Sequence, residues 1–252
     1  MNKPTHLLRV AAVVAFLVVV VVGCDSAAPA RAHGDGDDKP STKPVEARKV
    51  QVGKSVTLEV QGDKRRVLVD ATVCLTSGPL EMLMCRKQTK EHESILTTPA
   101  DARDIHQALL LTGAERGTPA KYLENKIQPP TGTKIKVSVR YEKKGKVVTE
   151  PAGRWVRNMK TRKHLEEDWV FAGSVFAKNV LEPKKPDIYL ANEGDVICIS
   201  NFEDAMLDLP IPSPKDDADR AFEAFTERIP DKETKVVVIL EPELDPKKKP
   251  KK

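Results

Sequence analysis

Five residues with metal-binding or proton-transferring side chains lie close together in the stretch MCRKQTKEHESIL, residues 84–96: Cys85, Glu91, His92, Glu93 and Ser94. Zinc accepts thiolate, imidazole and carboxylate ligands, and a thiol or hydroxyl beside an imidazole can act as a nucleophile. The stretch has no C-x-x-C or H-x-x-x-H spacing, and the chain has no G-x-S-x-G elbow. Three interpretations therefore stay open: a hydrogen-bonding structural role, a ligand or metal site, and hydrolysis.

Two residues outside this stretch are candidates for the same site. Asp70 is expected opposite Cys85 in a hairpin, and His106 flanks the buried stripe of a predicted helix. The loop from Cys85 to His92 is short enough to return the chain beside its own start. We therefore predict one partly buried polar patch. Its candidate ligand-binding residues are Cys85, His92, Glu93, Ser94, His106 and Asp70.

The hairpin that positions Cys85 is predicted from two β-type runs, residues 66–75 and 80–86, on either side of the turn TSGP. Pairing Leu75 with Leu80 gives one continuous apolar face, which burial favours over a register slipped by one residue. This register holds Cys74 and Cys85 four strand positions apart, roughly 13 Å. That separation excludes a disulfide between them.

Cys74, Cys85 and Cys198 are the three cysteines of the predicted body, and an odd number leaves at least one thiol unpaired. Cys198 could pair with either of the others. The alternatives are small buried hydrophobic residues, one disulfide, or metal or redox chemistry.

The wider pattern predicts an α+β fold of one domain, with mostly antiparallel sheet and two amphipathic helices. Turn signals separate seven β-type runs. The first helix is predicted to begin near Thr98-Pro99 and to end at Gly113. Its inner stripe is Ala102, Ile105, Ala108, Leu109 and Thr112. The second helix is predicted after Ser213-Pro214, with a stripe of Ala218, Ala221, Phe222, Phe225 and Ile229.

The N-terminus is typical of an export signal. Basic residues precede an unbroken apolar run from Val10 to Val22, too short to span a bilayer. The following VVGC resembles the lipobox of bacterial lipoproteins. That resemblance implies cleavage before Cys24 and a diacylglycerol on its sulfur, with palmitate-type acyl chains. A plain signal peptide and an uncleaved anchor are the alternatives.

Four segments follow from this pattern: a signal peptide at 1–23, a disordered tether at 24–49, the domain at 50–245 and a basic tail at 246–252. The formal net charge of +5 comes from five tail lysines, and the body is close to neutral. A neutral, exported body argues against a nucleic-acid partner. The tail is either simply solvated or contacts anionic lipid or envelope polymer.

Several stretches carry a family resemblance: GPLEMLMC, KEHESIL, HQALLLTGAERGTPA, PPTG, DWVFAGSVF and GDVICISNFEDAMLDLP. In this order they resemble the YdjY-domain family of exported bacterial proteins, over roughly residues 50–241. The family pattern includes Cys85, the HES stretch, Trp169, Gly173, Cys198 and Asn201. Some members carry a ferredoxin-like label. An iron–sulfur cluster is not expected here, because it usually takes four cysteines and this body has three without close spacing.

The sequence favours a lipid-anchored cell-envelope protein on the exported side of the membrane. Its domain is expected to bind a small ligand, metal ion or partner without catalysis. The alternatives are an exported thiol- or metal-dependent enzyme or redox protein using Cys85 and His92, and a structural envelope component. The sequence identifies no cofactor.

Overall fold

The computed structural model describes residues 46–124, 126–180, 182–214 and 221–244. The strands in these ranges are β1 Arg48–Gly53, β2 Val56–Gln61, β3 Lys64–Val73, β4 Met82–Arg86, β5 Ser94–Thr98, β6 Lys121–Leu123, β7 Lys126–Gln128, β8 Lys134–Lys143, β9 Lys146–Pro151, β10 Val156–Asn158, β11 Trp169–Phe171, β12 Phe176–Ala177, β13 Ile188–Tyr189, β14 Ile197–Cys198, β15 Leu207–Asp208, β16 Phe222–Ala224 and β17 Lys235–Pro242. The helix α1 spans Ala102–Thr112, and 3-10 turns span Ala152–Trp155 and Leu190–Glu193.

Eight strands form a sheet that closes on itself. Their order is β3, β17, β8, β11, β15, β14, β4 and β5, and β5 pairs back onto β3. Strand β3 can take part twice because it is ten residues long: β2 pairs with its first part and β5 with its last two residues. Most pairs are antiparallel, and β4–β5 and β14–β15 are parallel. The apolar residues inside this ring form the core.

The fold-class prediction is wrong: the described residues form a mostly β structure with one α-helix, not an α+β fold with two helices. The predicted second helix falls partly on residues 215–220, which lie outside the described residues. Beyond them, Phe222–Ala224 is strand β16 and pairs with β10. Phe222 and Ala224 are buried on one side, so a partner strand buries these apolar residues without a helix.

The first predicted helix is confirmed, with a later start. Asp101, not Thr98, caps it, and its side chain accepts a hydrogen bond from the Arg103 N–H at 2.9 Å. Gly113 ends it with φ 99°, a conformation that favours glycine. The inner stripe is also confirmed, because all five predicted residues are buried together with His106. The helix packs on β1, β2 and β3.

The predicted hairpin is wrong. Strand β5 lies between β3 and β4, so the two runs on either side of the TSGP turn do not pair. The apolar face of β3 is nevertheless buried as expected, through Val67, Val69, Ala71 and Val73. Strand β4 has neighbours on both edges and is buried from Met82 to Cys85 on both faces. The pattern identified the buried face but not the neighbouring strand.

The signal peptide, Cys24, nearly all of the tether and the tail lie outside the described residues. Strand β1 begins at Arg48, two residues before the predicted start of the domain. No helix within the described ranges is long and apolar enough to cross a membrane.

Candidate functional site

A cleft with a volume of about 580 Å³ lies against α1. Helical spacing brings Arg103, His106, Gln107 and Leu110 to one wall, because residues three and four apart share a helix face. Phe176 of β12 and Arg116, just beyond the end of the helix, complete the lining. The cleft therefore combines two cations, one imidazole and apolar side chains.

A chain of two hydrogen bonds fixes the imidazole at the base of the cleft. His106 Nδ1 lies 2.7 Å from the Tyr189 hydroxyl, and that hydroxyl donates to the Gly173 carbonyl at 3.1 Å. Because the hydroxyl has one proton and gives it to the carbonyl, Nδ1 must carry the proton of the imidazole. Nε2 is then the unprotonated nitrogen.

The free nitrogen of His106 faces the cleft. Nε2 has no hydrogen-bond partner among the described residues. If Nε2 were also buried, it would be a buried polar atom without a partner, and among the described side chains only the Ser213 hydroxyl is such an atom. Nε2 must therefore be open to solvent, although the residue as a whole is only 8% exposed. It can accept a hydrogen bond from a bound molecule.

Aromatic rings hold His106 from the sides. Phe171 and Tyr189 meet its ring edge-on, with centroids 4.8 and 5.4 Å away, and Phe176 lies at 6.4 Å. Burial, and then the charge of Arg116, lower the pKa of His106 to about 4. The imidazole is therefore neutral at pH 7.

The two arginines of the cleft differ in their partners. Arg103 donates to the Asp101 carboxylate at 2.7 Å, which compensates its charge and holds the pKa of Asp101 well below its ordinary value. Arg116 forms no hydrogen bond or ion pair through its side chain in the described part of the chain. Its stem packs against Gly173, where a Cβ would come within 2.8 Å of the Arg116 Cβ. Glycine at 173, with φ +90°, thus permits Arg116 to lie at the cleft.

The residues predicted to form one patch are found in separate places. Cys85 and Ser94 are buried and their side chains contact each other. His92 points to solvent with a side chain that is 76% exposed, and its Nε2 lies 3.7 Å from a Glu93 carboxylate oxygen. A side chain this exposed does not share a buried patch with Cys85, so the expected convergence does not include His92.

The other two candidates lie elsewhere. Asp70 is exposed on β3 and lines a second, smaller cleft with Arg140 and Lys235. His106 belongs to the cleft described above, where it is the one candidate from the sequence. Within the described ranges no group of three histidine, cysteine, aspartate or glutamate residues is arranged to hold a metal ion.

Sequence reasoning missed three residues around His106: Arg116, Phe176 and Tyr189. Arg116 could have been found, because it follows the helix end at Gly113 by three residues and so lies near the last turn. Tyr189 is separated from His106 by 83 residues, and no local pattern connects the two. Glu91, part of the opening cluster, organises its own loop by accepting bonds from the Thr89 N–H and the Thr97 hydroxyl.

Comparison with known proteins agrees with the resemblance seen in the sequence. The family model of the YdjY domain matches residues 58–241. Comparisons with curated proteins and with solved structures gave no match. The stretch HQALLLTGAERGTPA contributes His106 and Arg116 to the cleft, and DWVFAGSVF contributes Gly173 and Phe176. Since the matched region is more than half of the chain and includes the whole cleft, this protein belongs to the YdjY domain family.

Proposed function

We propose that the domain is a non-catalytic binding module for a small carboxylate that carries an apolar group, and that the His106 cleft is its site. The observation that carries this proposal is the pairing of an uncompensated guanidinium, Arg116, with a neutral imidazole whose Nε2 faces the same cleft. An arginine fork matches the two oxygens of a carboxylate.

The chemistry of the walls supports a ligand with an apolar part. Leu110 and Phe176 line the cleft and are 47% and 48% exposed. Large apolar side chains at this exposure gain from being covered, by about 25 cal/mol for each Å² of apolar surface. An aryl or alkyl group beside the carboxylate would cover them.

Binding fits the lining better than catalysis by a covalent route. The six lining residues include no hydroxyl, thiol or carboxylate that could act as nucleophile or acid. Three aromatic rings, those of Phe171, Phe176 and Tyr189, pack edge-on against His106, and the Tyr189 hydroxyl also holds Nδ1. A restrained, neutral acceptor selects a ligand that offers an N–H or O–H group near its carboxylate.

The cellular setting is part of the same proposal. A basic flank, a 13-residue apolar run and VVGC support a lipidated Cys24 and an envelope protein on the exported side of the membrane. Five tail lysines support a further contact with anionic lipid or envelope polymer. In cells, Cys24→Ala should leave an unprocessed precursor. An unmodified Cys24 in the mass spectrum of the purified native protein would refute the anchor.

Titration with benzoate, followed by NMR of the backbone amides, tests the ligand proposal. Methyl benzoate has the same ring, no charge and, like benzoate, no N–H to donate to His106, so it is the matched control ligand. Shifts should concentrate around His106 and Phe176, with a millimolar dissociation constant for so small a probe.

Arg116→Met keeps the apolar stem and removes the charge. It should weaken benzoate binding at least about fivefold, equivalent to ~1 kcal/mol. Arg65→Met on the exposed part of β3 is the matched control and should leave binding unchanged. Equal binding of benzoate and methyl benzoate, or equal effects of the two arginine variants, would refute the carboxylate site.

A further inference from the structure

The second cleft, of about 350 Å³, lies on the outer face of the sheet, where β3, β17 and β8 run side by side. Along each of these strands, residues that point into the core alternate with residues that point outward. The inward residues belong to the core and are Val69, Ala71, Val139, Tyr141, Val236 and Val238. Asp70, Lys235, Val237 and Arg140 therefore face outward, and all four line the cleft.

The cleft lies where β3 exchanges one neighbouring strand for another. Strand β2 pairs with β3 as far as Val69, and β5 pairs with it from Thr72 onward. Asp70 lies between these two pairings and is exposed. Pro99, directly after β5, forms a wall of the cleft on this side.

The strand register fixes the spacing of three charged residues around Val237. Val237 pairs with Asp70 on one side and with Arg140 on the other. Asp70 and Arg140 are therefore two strand spacings apart, about 9.5 Å. Lys235 lies on the same face two residues before Val237, so it is diagonal to both, at roughly 7–8 Å from each. One carboxylate and two cations thus surround a single apolar residue.

These three charges have no partners in the protein. Among the described residues, none of the three side chains forms a hydrogen bond or an ion pair. The first cleft differs in this respect, because there Arg103 is paired with Asp101 at 2.7 Å. The second cleft therefore has an anionic end at Asp70 and a cationic end at Arg140 and Lys235, and both ends are open to a ligand.

We propose that this cleft binds a free α-amino acid, with the ammonium group on Asp70 and the carboxylate on Arg140 and Lys235. Side chains stand roughly perpendicular to a sheet, so the lateral spacing of the charged groups follows that of the Cα atoms. Charge-assisted hydrogen bonds of about 2.8 Å at both ends leave roughly 4 Å for the ligand. The ammonium nitrogen of an α-amino acid lies about 2.5 Å from the carboxyl carbon, and the carboxylate oxygens lie roughly 1 Å further out. Such a ligand spans the gap.

The same charges select against ligands that carry only one of the two groups. A simple carboxylate is attracted by Arg140 and Lys235 but repelled by Asp70, and a simple amine meets the opposite combination. The volume of about 350 Å³ leaves room for a side chain beyond the two charged groups. Val237 and Pro99 offer apolar surface to it, so the cleft favours a small apolar side chain.

Titration of the full-length protein in an uncharged detergent with L-alanine, followed by NMR of the backbone amides, tests this site. Shifts should concentrate around Asp70 and Val237, with a millimolar dissociation constant for so small a ligand. N-acetyl-L-alanine lacks the ammonium group and L-alaninamide lacks the carboxylate. Each should bind at least about fivefold more weakly than L-alanine.

Variants at each end separate an amino-acid site from a simple anion site. Arg140→Met and Asp70→Asn should each weaken L-alanine binding at least about fivefold. The exposed residues Arg65 and Asp63 provide the matched controls, and Arg65→Met and Asp63→Asn should leave binding unchanged. Asp70→Asn should also strengthen the binding of N-acetyl-L-alanine, because it removes a charge that repels this anion.

Two results would overturn the proposal. One is the absence of shifts around Val237 with L-alanine up to about 0.1 M. The other is stronger binding of both L-alanine and its N-acetyl derivative in Asp70→Asn, which would indicate a simple anion site. Arg116→Met should leave L-alanine binding unchanged, and Arg140→Met should leave benzoate binding unchanged, so the His106 cleft and this cleft can each fail alone.

Discussion

Tyr189→Phe removes one oxygen from the centre of the His106 site and leaves the ring in place. Tyr189 is 1% exposed, so water cannot easily replace the hydroxyl. The substitution leaves the His106 Nδ1–H without its acceptor and the Gly173 carbonyl without its donor. A buried polar group that loses its partner costs about 1–3 kcal/mol.

Two such groups would cost about 2–6 kcal/mol if neither could adjust. The imidazole can adjust, because its proton can move to Nε2, which is open to the cleft. We therefore expect a loss of about 3 kcal/mol in the free energy of unfolding, near the lower end of that range. For a domain of this size, ~3 kcal/mol lowers the melting temperature by roughly 6–12 °C.

Urea denaturation followed by circular dichroism measures this loss. Tyr141→Phe is the matched control, because it also removes a hydroxyl, which donates to Glu150 at 2.9 Å. Glu150 keeps bonds from Trp155 and Arg154, so the control should lose only about 1 kcal/mol. His106→Phe and the double variant complete a cycle, in which we expect a coupling energy of about 1–2 kcal/mol between His106 and Tyr189.

The role assigned to the Tyr189 hydroxyl fails if Tyr189→Phe costs no more than Tyr141→Phe. It also fails if the cycle gives a coupling energy near zero, since the hydroxyl would then not hold the imidazole. Either result would remove the tautomer assignment, and with it the argument that Nε2 accepts from a ligand.

Further predictions concern the pH dependence of stability and two glycine substitutions. In the unfolded chain His106 takes up a proton below about pH 6.5, and in the folded chain only below about pH 4. The free energy of unfolding should therefore fall as the pH falls from about 6.5 to about 4. Urea titrations at several pH values should show a smaller fall in His106→Gln than in the unmodified protein. Gly173→Ala should lower the free energy of unfolding by about 1–3 kcal/mol, because alanine rarely adopts the φ of +90° found at this position. The new Cβ would also come within 2.8 Å of the Arg116 Cβ, so Arg116 should be displaced and benzoate should bind more weakly. Gly145→Ala, at φ +74° with open space, should cost less and leave binding unchanged.

Features that depend on local pattern were predictable from the sequence. The alternation in residues 67–73 identified the buried face of β3, and the 3.6-residue spacing from Ala102 to Thr112 identified the buried side of α1. The family was recognisable as well, because its stretches occur in order along the chain and the family match covers residues 58–241. Each of these properties is encoded within a few residues or as a linear series.

The neighbours of each strand were not encoded in this way. Residues 66–75 and 80–86 look like a hairpin, yet β5 enters between them and pairs with both. Phe222–Ala224 has apolar residues that suit a helix, but β10 offers a strand to pair with. An apolar face can be buried by any suitable surface, so burial fixes which side turns inward without fixing what covers it.

The site was decided by the tertiary structure for the same reason. The sequence placed Cys85 and His92 together because they are seven residues apart, but the loop between them turns His92 to solvent. The residues that do meet are distant along the chain, as His106 and Tyr189 are, 83 positions apart. Closing the sheet into a ring of eight strands brings such residues into contact. Hydrogen bonds between strands that are remote in sequence hold them there, and no local propensity contains that information.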